Sequence, residues 1–516
     1  MPELRAYQKA ILETAKQKNT LVILPTGLGK TLIAFELINY RLKYFAGSEG
    51  KAGKALFLAP TKPLVDQHFS NFKKSYSWES HMLTGAINAG KRKEIWEKAR
   101  VIFATPQTIA NDLRNGLINL DSVTVIVFDE AHRCLKNYDY VYIAQLYKER
   151  QGGLILGLTA SPGEERAKIE QICSNLSIQA VELRTRESPD VRPYLKRMKI
   201  KIIKVSMPQE LQEIREKLNE YYSKKIDELR NRGFLLKQDP SKKDIIELQK
   251  RLQNEVKSSK NFNLLKALTA CAIALKLQHG LELLETQSIS ALYAYLQDLF
   301  EQARQKKSKA VLEMIRNKSF NDAFLRVVNC YNNGKEHPKL EKLKEIVSEE
   351  IKANPSFKAI IFTQYRDNVT KLSSFLESFG IKNRPFIGQA KKRDIGLSQR
   401  EQRAIIEQFK RGEINVLVST SVGEEGLDLP EVDAVIFYEP VPSAIRKIQR
   451  QGRTARTKEG RVLILMAEKT RDEGYYWAAF HKENKMHRII DKIDEKLNKK
   501  EKEKKEKENL TLKNFL

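Results

Sequence analysis

The sequence predicts an α/β protein: two doubly wound parallel-sheet domains with an all-helical insert between them. Three observations carry that prediction. From residue 1 to 204, short β-branched runs that are apolar almost throughout alternate with longer helical stretches, as buried parallel strands with crossover helices require. The same alternation returns after about residue 355. Between 205 and 345 it gives way to long segments with apolar residues at helical spacing and almost no strand-like run. The expected units are 1–204, 205–345 and 346–490, followed by a charged tail or linker over 491–516. A chain of 516 residues is long enough for three such cores at roughly 100–200 residues each.

In the first domain the runs Thr20–Leu24, Ala55–Ala59, Val101–Ala104, Val123–Phe128 and Leu154–Leu158 read as strands. The first leads into Pro25-Thr26-Gly27-Leu28-Gly29-Lys30-Thr31 and then the helical run Leu32–Tyr40. A glycine-rich turn at a helix N-terminus presents backbone N–H groups to an anion. Lys30 can then reach the β- and γ-phosphates of a nucleotide, and Thr31 can ligate Mg2+. Leu24 stands where the strict phosphate-loop pattern has its first glycine. The fourth run ends in Asp129-Glu130-Ala131-His132. Adjacent carboxylates at the carboxyl end of a parallel strand are costly without a cation. Asp129 would hold Mg2+, and Glu130 would orient and deprotonate an attacking water. His132 would sense phosphate, couple to neighbouring loops, or be structural.

In the insert, Glu210–Arg230, Asp244–Lys257 and Leu264–Leu284 read as helices. Their aromatics (Tyr221, Tyr222, Phe234, with Tyr293 and Tyr295 further on) sit at helical spacing, which favours core over base stacking. Lys242 and Lys243 suit a solvated face or duplex contact equally. The second domain has the runs Ala359–Phe362, Arg384–Ile387, Val416–Ser419, Ala434–Tyr438 and Val462–Leu465. Before the last of them stands Gln449-Arg450-Gln451-Gly452-Arg453-Thr454-Ala455-Arg456. Arg453 and Arg456 are three apart and would share one helix face; planar guanidinium groups suit charge building on a transferring γ-phosphoryl. The alternative is a basic helix on a phosphate backbone.

The tail from Asp491 to Glu508 nearly balances its lysines with carboxylates, so the excess of 92 Lys+Arg over 65 Asp+Glu, a formal +27, lies in the body of the chain. That suits a polyanionic partner or a merely basic surface. No uninterrupted apolar stretch approaches the ~20 residues of a membrane span; Ala267–Leu275 is bracketed by Lys266 and Lys276. The N-terminus shows no apolar signal core, and Cys134, Cys173, Cys271 and Cys330 lie too far apart for a zinc or disulfide framework. Membrane and secreted classes are excluded, and an intracellular, cytoplasmic location is expected.

In order and content these segments resemble the motifs of superfamily 2 helicases. Leu4-Arg5-x-Tyr7-Gln8 is similar to the Q motif, Ala59-Pro60-Thr61-Lys62 to motif Ia, Thr84-Gly85 to the next loop motif and Ala104-Thr105-Pro106-Gln107 to motif Ib. Thr159-Ala160-Ser161-Pro162 is similar to motif III, Ile361-Phe362-Thr363-Gln364 to motif IV and the run Ser419 to Asp428 to motif V. The resemblance implies two RecA-like domains clasping ATP and Mg2+. Arg5, Gln8, Pro25 to Thr31, Gly426 and Asp428 would bind the nucleotide. Lys30, Thr31, Asp129 and Glu130 would face Gln449, Arg453 and Arg456 across the cleft. It also implies that Thr61, Thr84, Gly85, Thr105, Gln364, Gly388 and Thr420 hold one nucleic-acid strand by its phosphates; a helix N-cap is the alternative for Thr105 and Thr420, and the two roles can coexist.

The helical insert, the D-E-A-H form, Phe386-Ile387-Gly388-Gln389 and the stretch Gly396 to Gln402 look most like the archaeal Hef and FANCM helicases, in the branch that includes Dicer and RIG-I-like enzymes. That implies an ATP-dependent 3′–5′ DNA helicase or translocase acting on forked or branched DNA in repair and stalled-fork processing, its insert gripping duplex. Full-length Hef continues into a nuclease with an E-R-K-x-x-x-D signature. This sequence has none, so the tail reads as the start of a linker to a nuclease half outside the chain. The apolar end Leu510 to Leu516 suits a sliding-clamp contact or is a stray terminus. Two alternatives stand beside this reading: a double-stranded-RNA-stimulated ATPase of the RIG-I/Dicer type, and a nucleic-acid-binding scaffold without turnover, against which every hydrolytic residue is present.

Overall fold

The computed structural model describes residues 3–46, 53–148, 152–163, 165–258, 261–388, 396–420, 429–455 and 459–513. The first lobe runs α1 (Ala6–Gln17), β1 (Thr20–Ile23), α2 (Lys30–Ala46), β2 (Lys54–Leu58), α3 (Lys62–Ser75), β3 (Ser80–Leu83), α4 (Ala89–Lys98) and β4 (Val101–Ala104). It continues through α5 (Pro106–Arg114), β5 (Val123–Asp129), α6 (Asp139–Lys148), β6 (Leu154–Thr159), α7 (Arg166–Asn175) and β7 (Ala180–Leu183). All pairings are parallel, in the order β3-β4-β2-β5-β6-β1-β7. All five expected runs are strands. The two the sequence did not reveal, β3 and β7, are the edges, where partial cover removes the need for a continuous apolar run.

β8 (Met198–Val205) corrects the boundary expected at 204. It falls inside the segment assigned to the first domain, yet it pairs along its whole length with the last strand of the second sheet. Its alternation of lysine and isoleucine is that of an exposed edge strand, blunted by charge. The insert then comprises α8 (Gln209–Asn231), α9 (Lys242–Ser258), α10 (Phe262–Thr286), α11 (Ile289–Arg304), α12 (Lys309–Arg316) and α13 (Lys318–Asn332). α10 is apolar and long enough by composition to cross a membrane, but more than half of its apolar window is buried as the central helix of this bundle. Tyr221 is buried, Tyr222, Phe234, Tyr293 and Tyr295 pack against the bundle cores, and the Tyr295 hydroxyl donates to the Lys276 carbonyl (3.1 Å): the core reading prevails.

The insert ends earlier than expected. α14 (Pro338–Ala353) begins inside the 205–345 segment but packs Leu340, Leu343, Ile346 and Val347 into the second lobe. That lobe continues with β9 (Ala359–Phe362), α15 (Arg366–Ser378), β10 (Asn383–Phe386), α16 (Gln399–Arg411), β11 (Val416–Ser419), β12 (Ala434–Phe437), α17 (Ala444–Gln451) and β13 (Gly460–Ala467), in the parallel order β10-β11-β9-β12-β13-β8. A single helix, α18 (Arg471–Lys513), closes the described chain, so the expected start of a separate tail at 491 falls inside a helix. α18 leaves the second lobe and lays Met486, Ile489, Ile490 and Ile493 into the core of the first, beside Ile169, Ile172 and Val181.

The insert is fastened to the second lobe by a buried pair. Lys339 Nζ, with no solvent exposure, donates to Asp472 Oδ2 (2.6 Å), to the Thr286 carbonyl (3.2 Å) and to the Tyr438 carbonyl (3.3 Å). One ammonium thus joins α14, the end of α10, the residue just after β12 and the start of α18. A buried charge pair this well hydrogen-bonded fixes geometry even where it adds little net stability.

Candidate nucleotide cleft and nucleic-acid face

Because every strand is parallel, the loops after the strands all open on one edge of each sheet, where ligands of open α/β sheets bind. Sheet order then divides those loops by task. In the first sheet the loops after β1, β5 and β6 carry the phosphate turn, Asp129–Glu130 and Thr159–Ser161. The loops after β2, β4 and β3, on the other half, carry Thr61, Thr105 and Thr84–Gly85. In the second sheet Gln364, Gly388 and Thr420 follow β9, β10 and β11 on one half, while α17 follows β12 on the other.

In the phosphate turn, Gly27 and Gly29 have φ of 85° and 77°, a region open to glycine and strained for other residues. The Gln8 amide explains why Gly29 cannot be larger, because a Cβ there would lie 2.4 Å from Gln8 Nε2. That amide also bonds internally: Nε2 donates to the Leu28 carbonyl (3.1 Å) and Oε1 accepts from the Arg5 N–H (2.9 Å). Tyr7 donates to the same Leu28 carbonyl (2.8 Å). Gln8 therefore shapes the turn with one of its two amide hydrogens and one of its carbonyl lone pairs. Arg5 lies 5.3 Å from the Tyr194 ring. Lys30 Nζ donates to the Leu24 carbonyl (2.7 Å), at the position where the strict pattern has glycine.

Asp129 and Glu130 close β5. Asp129 is buried, and its Oδ2 accepts from His68 Nε2 (3.0 Å), a residue of α3 that sequence reasoning missed. Beneath it Tyr140, whose ionisation is pushed far up by complete burial, donates to the Asp129 carbonyl (2.7 Å). Glu130 adopts φ 50°, ψ 51°, a left-handed conformation that costs a non-glycine residue on the order of 1 kcal/mol and turns its side chain off the strand. Its Oε2 is buried without a hydrogen bond, 3.3 Å from His132 Nδ1. His132 Nδ1 also meets Thr159 Oγ1 (3.2 Å), Thr159 accepts from the Ser161 N–H (3.1 Å), and Ser161 Oγ donates to Met486 Sδ (2.9 Å). His132 thus couples to neighbouring loops, and through them to α18.

The opposing wall differs from expectation in one respect. α17 ends at Gln451, so Arg453 stands in the turn beyond the helix, and Ala455 has φ 59°. Arg453 is buried, its carbonyl accepting from the Val432 N–H (3.2 Å). Arg450 is wholly buried between the rings of Phe362 (4.8 Å) and Phe437 (5.7 Å), a structural cation. The walls meet at Gly452: a Cβ there would fall 1.3 Å from Thr26 Oγ1 of the phosphate turn. Gln449 lies on α17, but its side chain, like residues Arg456, Gly426 and Asp428, lies outside the described residues.

The donor set fits a nucleotide carrying its own Mg2+. Thr31 in the first turn of α2 and Asp129 could hold the ion, and the Glu130 oxygen that makes no hydrogen bond could accept from water. Among the described residues no group of three or more His, Cys, Asp and Glu could form a metal cage.

On the other half, Thr61 occupies the N-cap position of α3 without capping it, and its hydroxyl is buried without a partner. Thr105 stands at the N-cap of α5 but bonds the Thr108 hydroxyl (2.9 Å) instead of the backbone. Gly85 opens on empty space and Thr84 is buried. Gln364 is tied to the Pro440 carbonyl (3.2 Å), Gly388 accepts from the Leu397 N–H (3.4 Å), and Thr420 is buried.

Residues 1–164 match the family model "Type III restriction enzyme, res subunit", 210–334 "Putative ATP-dependent RNA helicase, helical bundle", and 338–458 "Helicase conserved C-terminal domain". The chain is 41% identical over 506 residues to "Putative ATP-dependent RNA helicase MJ1505" of Methanocaldococcus jannaschii, matching 96% of this chain and 62% of that protein. It is 34% identical over 528 residues to the Fanconi anemia group M protein homolog of Mus musculus, with coverage of 93% and 25%. It is 32% identical over 516 residues to the ATP-dependent DNA helicase mph1 of Aspergillus niger, with coverage of 94% and 45%. The chain therefore spans less than two thirds of these curated relatives. The crystal structure of the Pyrococcus furiosus Hef helicase domain superposes with a TM-score of 0.72 at 46% identity, over 92% of this chain and 98% of that one.

Proposed function

The chain belongs to the superfamily 2 helicases of the Hef/FANCM type, and from that premise we propose that it is a nucleic-acid-stimulated ATPase that moves 3′ to 5′ along one strand of forked or branched DNA in repair and stalled-fork processing. The observation that carries the motor reading is the contact of the phosphate turn with the arginine-bearing turn across the cleft, Thr26 against Gly452. Lys30 would leave the Leu24 carbonyl for the nucleotide phosphates, Asp129 and Thr31 would hold Mg2+, and Glu130 would orient and deprotonate water. Arg453, with Arg456 and Gln449, offsets charge from the other wall. Bound Mg2+ neutralises phosphate charge. Loss of the γ-phosphate removes the bridge between walls, and the loops on the far half of each sheet, gripping phosphates without reading bases, shift relative to one another.

DNA is favoured by the name of the Aspergillus relative; RNA is favoured by that of the Methanocaldococcus relative. One experiment separates them: ATP turnover with matched single-stranded, duplex, forked and four-way DNAs and their RNA equivalents, with Lys30→Ala as the inactive control. Forked or branched DNA is expected to stimulate most. Greater stimulation by duplex RNA would transfer the protein to the RNA reading, and no stimulation by any nucleic acid would remove the motor.

A further inference from the structure

We propose that His68 is a positioning residue for the Asp129 carboxylate, and that through it helix α3 transmits the state of the nucleic-acid face to the metal-holding group. The inference rests on the helicase reading above. His68 and Asp129 are both buried and meet at 3.0 Å, and since the carboxylate accepts, His68 Nε2 must carry the proton. The other ring nitrogen, Nδ1, is buried and has no hydrogen-bond partner among the described residues. Here the ring is held by α3 and by packing on Phe57, with ring centroids 4.7 Å apart, so its pose follows the helix.

α3 is well placed to move it. The helix starts immediately after Thr61, whose buried hydroxyl has no partner and lies on the strand-holding half of the sheet. Two residues before His68, about 200° around the helix, Asp66 Oδ2 accepts from Arg403 of α16 in the second lobe (2.9 Å). One helix therefore touches the nucleic-acid loop, the opposing lobe and the metal carboxylate. A strand seated at Thr61, or a lobe shift felt at Asp66, displaces His68 Nε2 relative to Asp129 Oδ2.

The test uses the full chain with His68→Ala and His68→Gln. Mn2+ binding in the presence of ADP is read by electron paramagnetic resonance, and the ratio of ATP turnover with and without single-stranded DNA is read separately. His68→Ala should weaken Mn2+ binding by about tenfold and lower the DNA stimulation ratio, with ADP binding in EDTA unchanged. His68→Gln, whose amide N–H can reach the carboxylate, should recover most of both. Mn2+ affinity and stimulation ratio both within about twofold of the parent in His68→Ala would reduce His68 to core packing. Should that variant not fold, His68→Leu, which keeps the Phe57 contact and loses the donor, is judged by the same thresholds. A parent protein that no nucleic acid stimulates would sink the helicase reading, while the Mn2+ arm would still decide the role of His68 at the metal.

Discussion

Glu439 has no solvent exposure, and one of its oxygens, Oε2, has no hydrogen bond among the described residues; the other accepts from the Thr363 hydroxyl (3.0 Å) and the Gln364 N–H. Burial pushes its carboxyl up to about 7, against the opposing pull of Lys339 and Arg450. In the unfolded chain the group releases its proton in the ordinary carboxyl range, while in the fold it keeps it until about pH 7. Stability from this site is therefore complete at low pH, falls as pH rises towards 7, and is level above that. Glu439→Gln keeps the acceptor and cannot ionise. It should match the parent near pH 3.5 by calorimetry, below the ordinary carboxyl range, and unfold later at pH 8, by on the order of 1–3 kcal/mol. An offset that does not change with pH would show that Glu439 does not titrate in this window. Neither Glu439 nor His68 was legible in the sequence, for one reason. Their significance comes from partners 75 and 61 residues away, and a single carboxylate or imidazole in an apolar run carries no local sign of what it will face. The residues of the phosphate turn and the Asp129–Glu130 pair were legible because their chemistry is written in contiguous residues at a strand end.

At the scale of elements, legibility follows burial. Central strands read as continuous apolar runs and were located within a residue or two at each end, as was the edge strand β10, whereas the other three edge strands, β3, β7 and β8, have half-polar sequences and were missed. α18 was the largest omission. Its charged second half concealed that Met486, Ile489, Ile490 and Ile493 form an apolar stripe at helical spacing, which docks on α7 and β7 of the lobe opposite its origin. Asp494 Oδ1 accepts from the Val181 N–H (3.3 Å) beside that stripe. Ile490 is the buried centre of it, and a carboxylate there would be buried without a partner, a cost of several kcal/mol that undocking avoids. Ile490→Asp is therefore expected to release this half of α18 while both lobes stay folded. Hydrogen exchange should rise in Arg166–Asn175, Ala180–Leu183 and the second half of α18, and stay unchanged in α8 to α13. Protection retained at β7 and α7 would mean that the stripe does not hold the lobes together.

For the molecule as a whole, the question is whether the two walls close on one nucleotide, and Gly452 lets sterics answer it. Its backbone, at φ −67° and ψ 4°, suits any residue, so alanine there introduces no backbone strain. What forbids alanine is the other lobe. The added methyl would stand 1.3 Å from Thr26 Oγ1 and 2.6 Å from Thr26 Cβ. Rotating the threonine side chain clears the first contact and leaves the second, because Cβ does not move with that rotation. The turn cannot yield either, since Gly27 and Gly29 hold it in left-handed conformations and Gln8 and Tyr7 clamp the Leu28 carbonyl. The remaining escape is for the lobes to part, which draws Arg453 away from Lys30, Asp129 and Glu130. Gly452→Ala should then bind ADP as the parent does, since the phosphate turn itself is untouched. It should lose turnover on the order of 100-fold, the scale of an ångström-sized misplacement of a reacting group, and show a larger radius of gyration by X-ray scattering with a non-hydrolysable ATP analogue. Adding Thr26→Gly removes the clashing Cβ and should return the radius towards the parent value even if turnover stays low. A Gly452→Ala protein with parental turnover and radius would mean that Thr26 and Gly452 do not meet in the working enzyme, and that the triphosphate is not enclosed between these two surfaces.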